Sequence, residues 1–188
     1  RADTVPLVAQ SFGWEHGVYM GATMASETTA AAEAKVGVIR RDPMAMLPFC
    51  GYNMADYWGH WLDMGRRAKD PPAIFQVNWF QRDDDGRFIW PGFGQNMHVL
   101  RWVREQALHS ANGSHARETP VGILPTDDVL PLAELGIQGK DADRLLSVNR
   151  DKWRHEVADE REFLAKFGGR LPQELSEQAN RLEKRLGM

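Results

Sequence analysis

The sequence has little cysteine and no long apolar run, and both absences narrow what the protein can be. Cys50 is the only cysteine among 188 residues, so no disulfide can form within the chain, and a reducing compartment is expected. No stretch approaches the roughly 18 consecutive apolar residues that span a bilayer, and no signal peptide is recognisable. We therefore expect a soluble cytoplasmic protein that does not contact a membrane.

The chain also lacks an excess of basic residues. Its 23 lysines and arginines are outnumbered by 26 aspartates and glutamates, so the formal net charge is −3. The isoelectric point is near 6.1. A protein that binds nucleic acid polymers usually carries a basic stripe or patch. We therefore expect no nucleic acid polymer as a partner.

Two common kinds of catalytic motif are missing from the sequence. The nearest approach to a phosphate-binding loop, G-x-x-x-x-G-K-[S/T], ends at Gly139-Lys140, but Glu134 replaces its first glycine and Asp141 its hydroxyl residue. The histidines show no paired metal-ligand spacing on one element. They are His16, His60, His98, His109, His115 and His155. The sequence therefore predicts no metal site in this chain.

The most informative segment that is present runs from residue 77 to residue 96. It consists of two strings rich in aromatic residues and glycine: Val77-Asn78-Trp79-Phe80-Gln81-Arg82 and Gly86-Arg87-Phe88-Ile89-Trp90-Pro91-Gly92-Phe93-Gly94-Gln95-Asn96. The apolar run 73–79 predicts a buried strand, 83–86 a turn and 87–90 a short returning strand. After a second turn, residues 95–109 predict an amphipathic helix.

The chemistry of this segment allows two interpretations. Aromatic rings on neighbouring strands, with an amide side chain entering a helix, can form a slot for a flat heterocycle. Stacking stabilises a bound base by about 1–3 kcal/mol whatever its identity, so a polar group such as Asn96 must select among bases. Alternatively, the segment is a buried hairpin whose aromatics belong to the core. The alternation of Phe75 and Trp79 along one strand favours this second interpretation.

The rest of the chain predicts an α/β to α+β fold without repeats. The predicted elements are strands at 6–12 and 36–40, a helix at 55–69, an exposed loop at 110–119 and two charged helices within 145–186, broken at Gly168-Gly169. Asp141 is a candidate helix N-cap. The mixed charge of the two C-terminal helices is typical of a solvated face, so no site is expected there. The alanine-rich stretch 26–35, taken alone, favours a short helix N-capped by Ser26.

Several strings resemble the GTP-dependent phosphoenolpyruvate carboxykinases. The guanine-binding stretch of that family runs N-W-F, a charged turn, then F-L/I-W-P-G-F-G-x-N, and residues 78–96 are similar to it throughout. Further similar strings follow the family's order. They are Val5-Pro6-Leu7-Val8, Trp14-Glu15-His16-Gly17-Val18, Ser26-Glu27-Thr28-Thr29-Ala30-Ala31-Ala32-Glu33 and Arg41-Asp42-Pro43-Met44-Ala45-Met46-Leu47-Pro48-Phe49-Cys50-Gly51-Tyr52-Asn53. The match to the C-terminal helices is looser.

The resemblance implies a domain organisation. Residues 1–188 would be the C-terminal third of a longer protein and a portion of the carboxykinase nucleotide-binding domain. That portion would be a mixed sheet flanked by helices, with a helical C-terminal tail. Residues 28–38 would form a mobile lid, 77–96 the guanine-binding segment and 140–188 the C-terminal helices. The chain is therefore expected to be a fragment.

The resemblance also implies an activity for the full-length protein. The family converts oxaloacetate and GTP to phosphoenolpyruvate, GDP and CO2, with Mn²⁺ and Mg²⁺ assisting, in gluconeogenesis or anaplerosis. The family's P-loop and metal ligands lie upstream of the matched region, so none of those ligands is expected in this chain. We expect the full-length protein to be a monomer and the isolated chain to be inactive.

The resemblance implies roles for individual residues of the aromatic segment. The nucleotide-binding residues would be Trp79, Phe80, Phe88, Phe93, Gly94, Gln95 and Asn96. The four aromatic rings would wall and stack the guanine. Asn96, with the backbone of residues 93–95, would read the edge of the base and reject adenine. Selectivity should depend more on these polar contacts than on the rings, because an unpaired buried amide is costly.

A second implied element is a lid that gates catalysis. Its residues would include Ser26, Glu27, Thr28, Thr29, Ala30, Ala31, Ala32 and Glu33, with Ser26 and Glu27 at the base. Closure would expel water and keep a reactive enolate from being protonated before phosphoryl transfer. The chain has Ala25 where animal members have Arg, and Ala34 where they have His, so lid kinetics cannot be transferred.

Two alternatives from other classes remain open. In the first, the aromatic segment is an open platform of a non-catalytic module that binds sugar or a proline-rich peptide. It predicts that Trp79 and Trp90 are solvent-exposed and that purines are not distinguished. In the second, the isolated chain is a structural remnant with a collapsed pocket, in which the strand at 6–12 lacks a partner and forms an exposed sheet edge.

Overall fold

The computed structural model describes residues 3–27, 39–108 and 115–188, to which all structural statements below refer. The chain divides into two compact units. One comprises Gly13–Pro71 and Arg154–Met188, and the other comprises Ala2–Phe12 and Pro72–Trp153. We call them the helical unit and the sheet unit.

Twelve helices and strands carry the described part of the chain, apart from four short 3-10 turns. In chain order they are β1 (Val8–Gln10), α1 (Trp14–Ala22), β2 (Ala25–Glu27), β3 (Ile39–Arg41), α2 (Met54–Arg67), β4 (Phe75–Val77), α3 (Asn96–Ala107), β5 (Ala116–Thr119), β6 (Gly122–Pro125), α4 (Lys140–Leu146), α5 (Arg150–Ala165) and α6 (Gln173–Leu186). No helix among the described residues is both long enough and apolar enough to cross a membrane.

The sheet unit is built on four antiparallel strands in the order β4-β1-β6-β5. Val8 pairs with Val77, and Gln10 pairs with Phe75 on one side and with Ile123 on the other. Strand β1 therefore lies inside the sheet. The prediction of an unpaired edge at 6–12 is wrong, because two later strands of the same chain cover both of its edges.

The strand pair β5–β6 corrects a second prediction. Residues 116–119, predicted as loop, form β5, which pairs with β6 from Ala116 opposite Pro125 to Thr119 opposite Gly122. Gly122 has φ of 149°, and a Cβ there would lie 2.7 Å from the carbonyl oxygen of Gln10. The glycine thus permits the close approach of β6 to β1. The remainder of the predicted loop, 110–114, lies outside the described residues.

The core of the sheet unit is aliphatic and aromatic. Val99 and Trp102, one turn apart on α3, are fully buried, and so are Leu7 beside β1 and Leu145 on α4. They belong to one cluster that also contains Trp90. The backbone N–H of Leu7 donates to the carbonyl oxygen of Leu145 at 2.7 Å, which joins α4 to the chain entering the sheet.

The helical unit buries one face of each of its longer helices. Leu175, Leu182 and Leu186 are fully buried on α6, at a spacing that places them on one side of the helix. Trp58 on α2 is fully buried, and its ring centroid lies 4.6 Å from that of Phe167 in an edge-to-face arrangement. The unit also contains the ribbon β2–β3, in which Ser26 pairs with Arg40 and Ala25 with Arg41.

The sequence therefore predicts the class of the fold, a sheet flanked by helices with a helical C-terminal tail, and this is confirmed. The sheet is predicted to be mixed, whereas the strand pairs among the described residues are all antiparallel. The helices predicted at 55–69 and 95–109 and the two C-terminal helices are present. The prediction of Asp141 as an N-cap is wrong, since α4 begins at Lys140 after Gly139, whose φ is 57°. Ser26 lies in β2, so the alternative of a helix capped by it is also wrong.

Candidate functional site

The aromatic segment is anchored to the sheet unit by two buried amides. The side-chain nitrogens of Asn78 and Gln81 both donate to the carbonyl oxygen of Val5, at 2.7 and 2.8 Å. The Oδ1 of Asn78 also accepts from the backbone N–H of Phe80 at 3.1 Å. Buried polar groups are stable only when they are hydrogen-bonded in this way. These contacts fix the point at which the chain leaves β4.

The turn that follows is held by a single aspartate. Asp83 Oδ1 accepts from the backbone N–H groups of Asp85 at 3.0 Å and Arg87 at 2.8 Å. The turn predicted at 83–86 is therefore present, with Gly86 at a φ of 80°. The returning strand predicted at 87–90 is reduced to one bridge, between Arg82 and Phe88. Pairing stops there because Ile89 and Trp90 enter the core instead.

The four rings predicted to stack a base divide into two environments. Trp79 is half-buried, packs against the core of the sheet unit and stacks on Trp90, with ring centroids 6.1 Å apart. Phe80 and Phe88 are 60% and 51% exposed and contact each other edge to face at 6.1 Å. The guanidinium of Arg82 lies 4.0 Å from the centroid of Phe88. The interpretation as core is therefore confirmed for Trp79 and Trp90, whereas Phe80 and Phe88 are exposed and the interpretation as a slot for a base stays a prediction.

Phe93 is the most exposed of these rings. It is 94% exposed, and its φ of 47° follows a Gly92 φ of 77°. A positive φ is strained for a residue with a bulky side chain, and such strain is concentrated at functional sites. The backbone N–H of Gln95 closes this turn by donating to the carbonyl oxygen of Gly92 at 3.1 Å. The turn presents the ring to solvent just before α3 begins.

Asn96, which is predicted to distinguish guanine from adenine, is the first residue of α3. Its Oδ1 accepts a hydrogen bond from Nε1 of Trp90 at 2.8 Å. Gln95 is also side-chain bonded, with its Oε1 3.1 Å from Nε2 of His98. The structure thus brings Asn96 to Trp90. Phe93 makes no contact with another ring among the described residues.

The predicted lid can be located only at its base, in the helical unit. Ser26 lies in β2, and its Oγ donates to Oδ2 of Asp42 at 3.0 Å. Oδ1 of the same aspartate accepts from the backbone N–H of Leu47 at 3.2 Å. Strand pairing extends to Glu27 opposite Ile39. The remaining lid residues, Thr28, Thr29, Ala30, Ala31, Ala32 and Glu33, lie outside the described residues, as does the rest of 28–38.

Known proteins match this sequence along nearly its whole length. Residues 1–185 match the family described as phosphoenolpyruvate carboxykinase C-terminal P-loop domain. The chain belongs to the GTP-dependent phosphoenolpyruvate carboxykinase family. Two proteins named phosphoenolpyruvate carboxykinase (GTP) are 46% identical to it: that of Thermoplasma volcanium over 187 residues and that of Chlamydia muridarum over 186. The protein of that name from Neocallimastix frontalis is 47% identical over 188 residues.

These carboxykinases are much longer than the chain. The alignments cover 99–100% of this chain but only 30–31% of the relatives. The chain therefore spans about a third of the length of these relatives and matches the C-terminal domain of the family. No three histidine, cysteine, aspartate or glutamate side chains come together as a metal ligand set in the part of the chain that the structure describes.

Two features of this carboxykinase region were not predicted from the sequence. The first is an ion-pair cluster in the sheet unit, where Lys140 and Arg144 on α4 both pair with Asp84 in the turn of the aromatic segment. These two cations hold the pKa of Asp84 down to about 2. The cluster ties the turn to α4. No local pattern in the sequence indicates this cluster, because the partners lie more than fifty positions apart.

The second feature is a buried polar cluster in the helical unit that includes Arg41 of β3. Tyr19 Oη donates to Oε2 of Glu160 at 2.7 Å, and Arg41 pairs with Oε1 of Glu156 at 2.7 Å. Arg41 also donates to the carbonyl oxygen of Thr23 at 2.7 Å. Burial raises the pKa of Glu160 to about 7, although the hydrogen bond from Tyr19 and the charge of Arg41 oppose the rise. The prediction that α5 carries only solvated charge is therefore wrong for Glu156 and Glu160, which face the helical core.

Proposed function

We propose that this chain supplies the guanine-binding site and the lid of a GTP-dependent phosphoenolpyruvate carboxykinase. The full-length protein would convert oxaloacetate and GTP to phosphoenolpyruvate, GDP and CO2, as the family does in gluconeogenesis or anaplerosis. Its substrates would be GTP or GDP and oxaloacetate or phosphoenolpyruvate. The chain would act as the C-terminal portion of the nucleotide-binding domain, with the lid at 28–38, the guanine segment at 77–96 and the C-terminal helices at 140–188.

The observation that carries the proposal is the exposed, strained Phe93 next to Asn96. A ring that is 94% exposed contributes little to stability, yet the backbone of Phe93 is held in the left-handed region. A flat base stacked on the ring would account for both. Phe80 and Phe88 offer further exposed ring surface in the same unit. Asn96, with the backbone of Gly94 and Gln95, would supply the polar contacts that distinguish guanine from adenine.

The division of labour within the chain follows from these environments. Phe80, Phe88 and Phe93 would contribute stacking, which is nearly independent of base identity. Trp79 would serve as a wall through its half-buried ring. Selectivity would come from Asn96, because a polar group left unpaired against the wrong base costs more than a ring contact gains.

The lid would act by exclusion of water. The ribbon β2–β3 would hold its two ends, with Ser26 and Glu27 at one side. Closure would keep solvent protons from the enolate formed on decarboxylation until the phosphoryl group is transferred. Mn²⁺ and Mg²⁺ would be held by residues of the full-length protein upstream of this chain. The side chains that the structure describes do not form a fitting ligand set.

The alternative of an open aromatic platform for sugar or proline-rich peptide is less well supported. It requires Trp90 to be solvent-exposed, whereas that side chain is 2% exposed and part of the core. It also offers no reason for an amide to be fixed beside the exposed phenylalanines.

A titration of nucleotide binding tests the proposal. GDP and ADP would be titrated by calorimetry into the full-length protein and, separately, into the 188-residue chain. We expect the full-length protein to bind GDP at least tenfold more tightly than ADP. Equal affinity for the two nucleotides in the full-length protein would refute a guanine site. GDP binding by the isolated chain would show that the site forms without upstream residues; we expect this chain to have no carboxykinase turnover.

A further inference from the structure

The hydrogen bond between Trp90 and Asn96 decides which way the asparagine amide points. The indole Nε1–H can only donate, so the atom of Asn96 that faces it must be the oxygen Oδ1. The NH2 group on Nδ2 is then directed away from Trp90. It donates to no other side chain or carbonyl among the described residues, and Asn96 is only half-buried. A donor is therefore presented at the start of α3.

The indole is itself held firmly. Its side chain is 2% exposed and lies in the core cluster of the sheet unit. One face is covered by the stacked ring of Trp79, at 6.1 Å and with 29° between the ring planes. The turn at Gly92 and Phe93 brings Asn96 back to Trp90 within six residues of sequence. A rigid partner of this kind fixes the rotamer of the side chain that it contacts.

We propose that Trp90 is a positioning residue for base selection, on the basis of the guanine site proposed above. Trp90 would orient Asn96 so that the NH2 group of the asparagine faces position 6 of the purine. Guanine carries an acceptor there, O6, whereas adenine carries the donor N6–H2. An NH2 donor fixed in place forms a hydrogen bond with O6 of guanine. Against adenine the same donor would face the N6–H2 group, which is also a donor. Trp90 itself does not touch the base.

The orientation matters because a free carboxamide is not selective. Rotation by 180° about its terminal bond exchanges the oxygen and the NH2 group, so an unrestrained asparagine can accept from adenine as readily as it donates to guanine. Only a group that fixes one of the two orientations makes the amide a discriminator. In this chain that group is the donor-only indole of Trp90.

The proposal predicts which part of the base is read. Inosine diphosphate keeps the 6-oxo group of guanine and lacks only its 2-amino group. The ratio of affinities for IDP and ADP therefore reports on the edge formed by positions 1 and 6, while the ratio for GDP and IDP isolates position 2. Loss of the indole N–H should reduce the first ratio and leave the second unchanged.

The variant Trp90→Phe tests this in the full-length protein. It removes the N–H and keeps an aromatic ring, and Trp102→Phe is the matched control. Trp102 is also fully buried in the same cluster and also donates one hydrogen bond through Nε1, but to the carbonyl oxygen of His115 at 3.0 Å. Both variants should lose stability, so any difference in base selection is due to the contact with Asn96. Affinities for GDP, IDP and ADP would be measured by calorimetry, and Asn96→Ala would serve as the reference variant that lacks the asparagine amide.

We expect Trp90→Phe to lower the IDP-over-ADP ratio roughly two- to tenfold, the range that one net hydrogen bond supplies. Trp102→Phe should leave the ratio as in the parent. An unchanged ratio in Trp90→Phe, with a reduced ratio in Asn96→Ala, would overturn the proposal and leave the guanine site standing. An unchanged ratio in Asn96→Ala would overturn the assignment of Asn96 as the residue that distinguishes guanine from adenine. A fall of the GDP-over-IDP ratio alone in Trp90→Phe would also overturn the reading of position 6.

A spectroscopic measurement keeps the proposal open to test if Trp90→Phe does not fold. The indole ¹⁵N–¹H signals would be recorded for the parent protein and for Asn96→Ala. We expect the signal of Trp90 to move upfield and its proton to exchange faster in the variant, since the acceptor is lost. The signal of Trp102 should not move. An unshifted Trp90 signal would mean that the contact is absent in solution, and the proposal would fail.

Discussion

Phe93 offers a test that separates ligand binding from folding. The ring is 94% exposed, so its removal takes almost no packing from the folded protein. Its φ of 47° lies in the left-handed region, which costs a residue with a Cβ about 1–2 kcal/mol. Binding and stability should therefore respond to different changes at this one position.

Two substitutions exploit this. Phe93→Ala removes the ring but keeps the Cβ and its strain, whereas Phe93→Gly removes both. If the ring stacks on a base, each variant loses about 1–3 kcal/mol of binding free energy, or roughly 5- to 150-fold in affinity. The loss should be the same for GDP and ADP, because stacking ignores base identity. Phe93→Gly should be more stable than Phe93→Ala by about 1 kcal/mol, since glycine adopts positive φ without strain.

Calorimetric titration gives the affinities, and denaturant unfolding of the unliganded protein gives the stabilities. The full-length protein is the correct material for the binding arm. A loss of GDP affinity without a matching loss of ADP affinity would refute the assignment of Phe93 to stacking. Equal stability of the alanine and glycine variants would refute the argument from strain, whatever the binding data show.

Three further predictions concern stability. Gly65→Ala should destabilise the protein by about 1–3 kcal/mol in denaturant unfolding, because the new Cβ would lie 2.1 Å from the ring of Trp14. Gly59→Ala on the same helix is the control, since its Cβ meets nothing within 4 Å, and it should stabilise the protein by up to about 1 kcal/mol. Equal effects of the two substitutions would contradict the clash. Burial raises the pKa of Glu160 from 4.5 to about 7, so the folded state binds the proton more tightly than the unfolded state does. The free energy of unfolding should therefore fall by about 3 kcal/mol as the pH rises from below 4.5 to above about 7. Glu160→Gln should abolish this fall, and an equal fall in both proteins would count against it. Asp84→Asn should lower the melting temperature at low salt and have no effect at high salt, because its ion pairs are exposed; a salt-independent loss would contradict this.

The sequence predicts the long helices well because their apolar spacing is decided locally. α2 and α3 follow the predicted ranges to within two residues at each end, and the break between α5 and α6 falls at the predicted glycine pair. Short elements are decided by partners that are distant in sequence. β5 is a strand because it pairs along its length with β6, and no pattern within 116–119 indicates it. The burial of Glu160 could not be predicted either, because its partner Tyr19 lies 141 positions away.

The aromatic segment combines buried and exposed rings, which the sequence pattern did not separate. Successive residues in extended chain point to opposite sides, so Trp79 turns inward while Phe80 turns outward. Beyond the turn the strand pairing ends, and Phe88 is exposed whereas Ile89 and Trp90 are buried. The inward tryptophans give the segment a rigid base. The outward phenylalanines contribute little to folding, and in the proposed site they would contact the base. Asn96 joins the two layers, since its oxygen is fixed by a core indole and its nitrogen remains at the surface. A site that depended on exposed residues alone would have rings but no fixed donor, and could bind a purine without choosing between guanine and adenine.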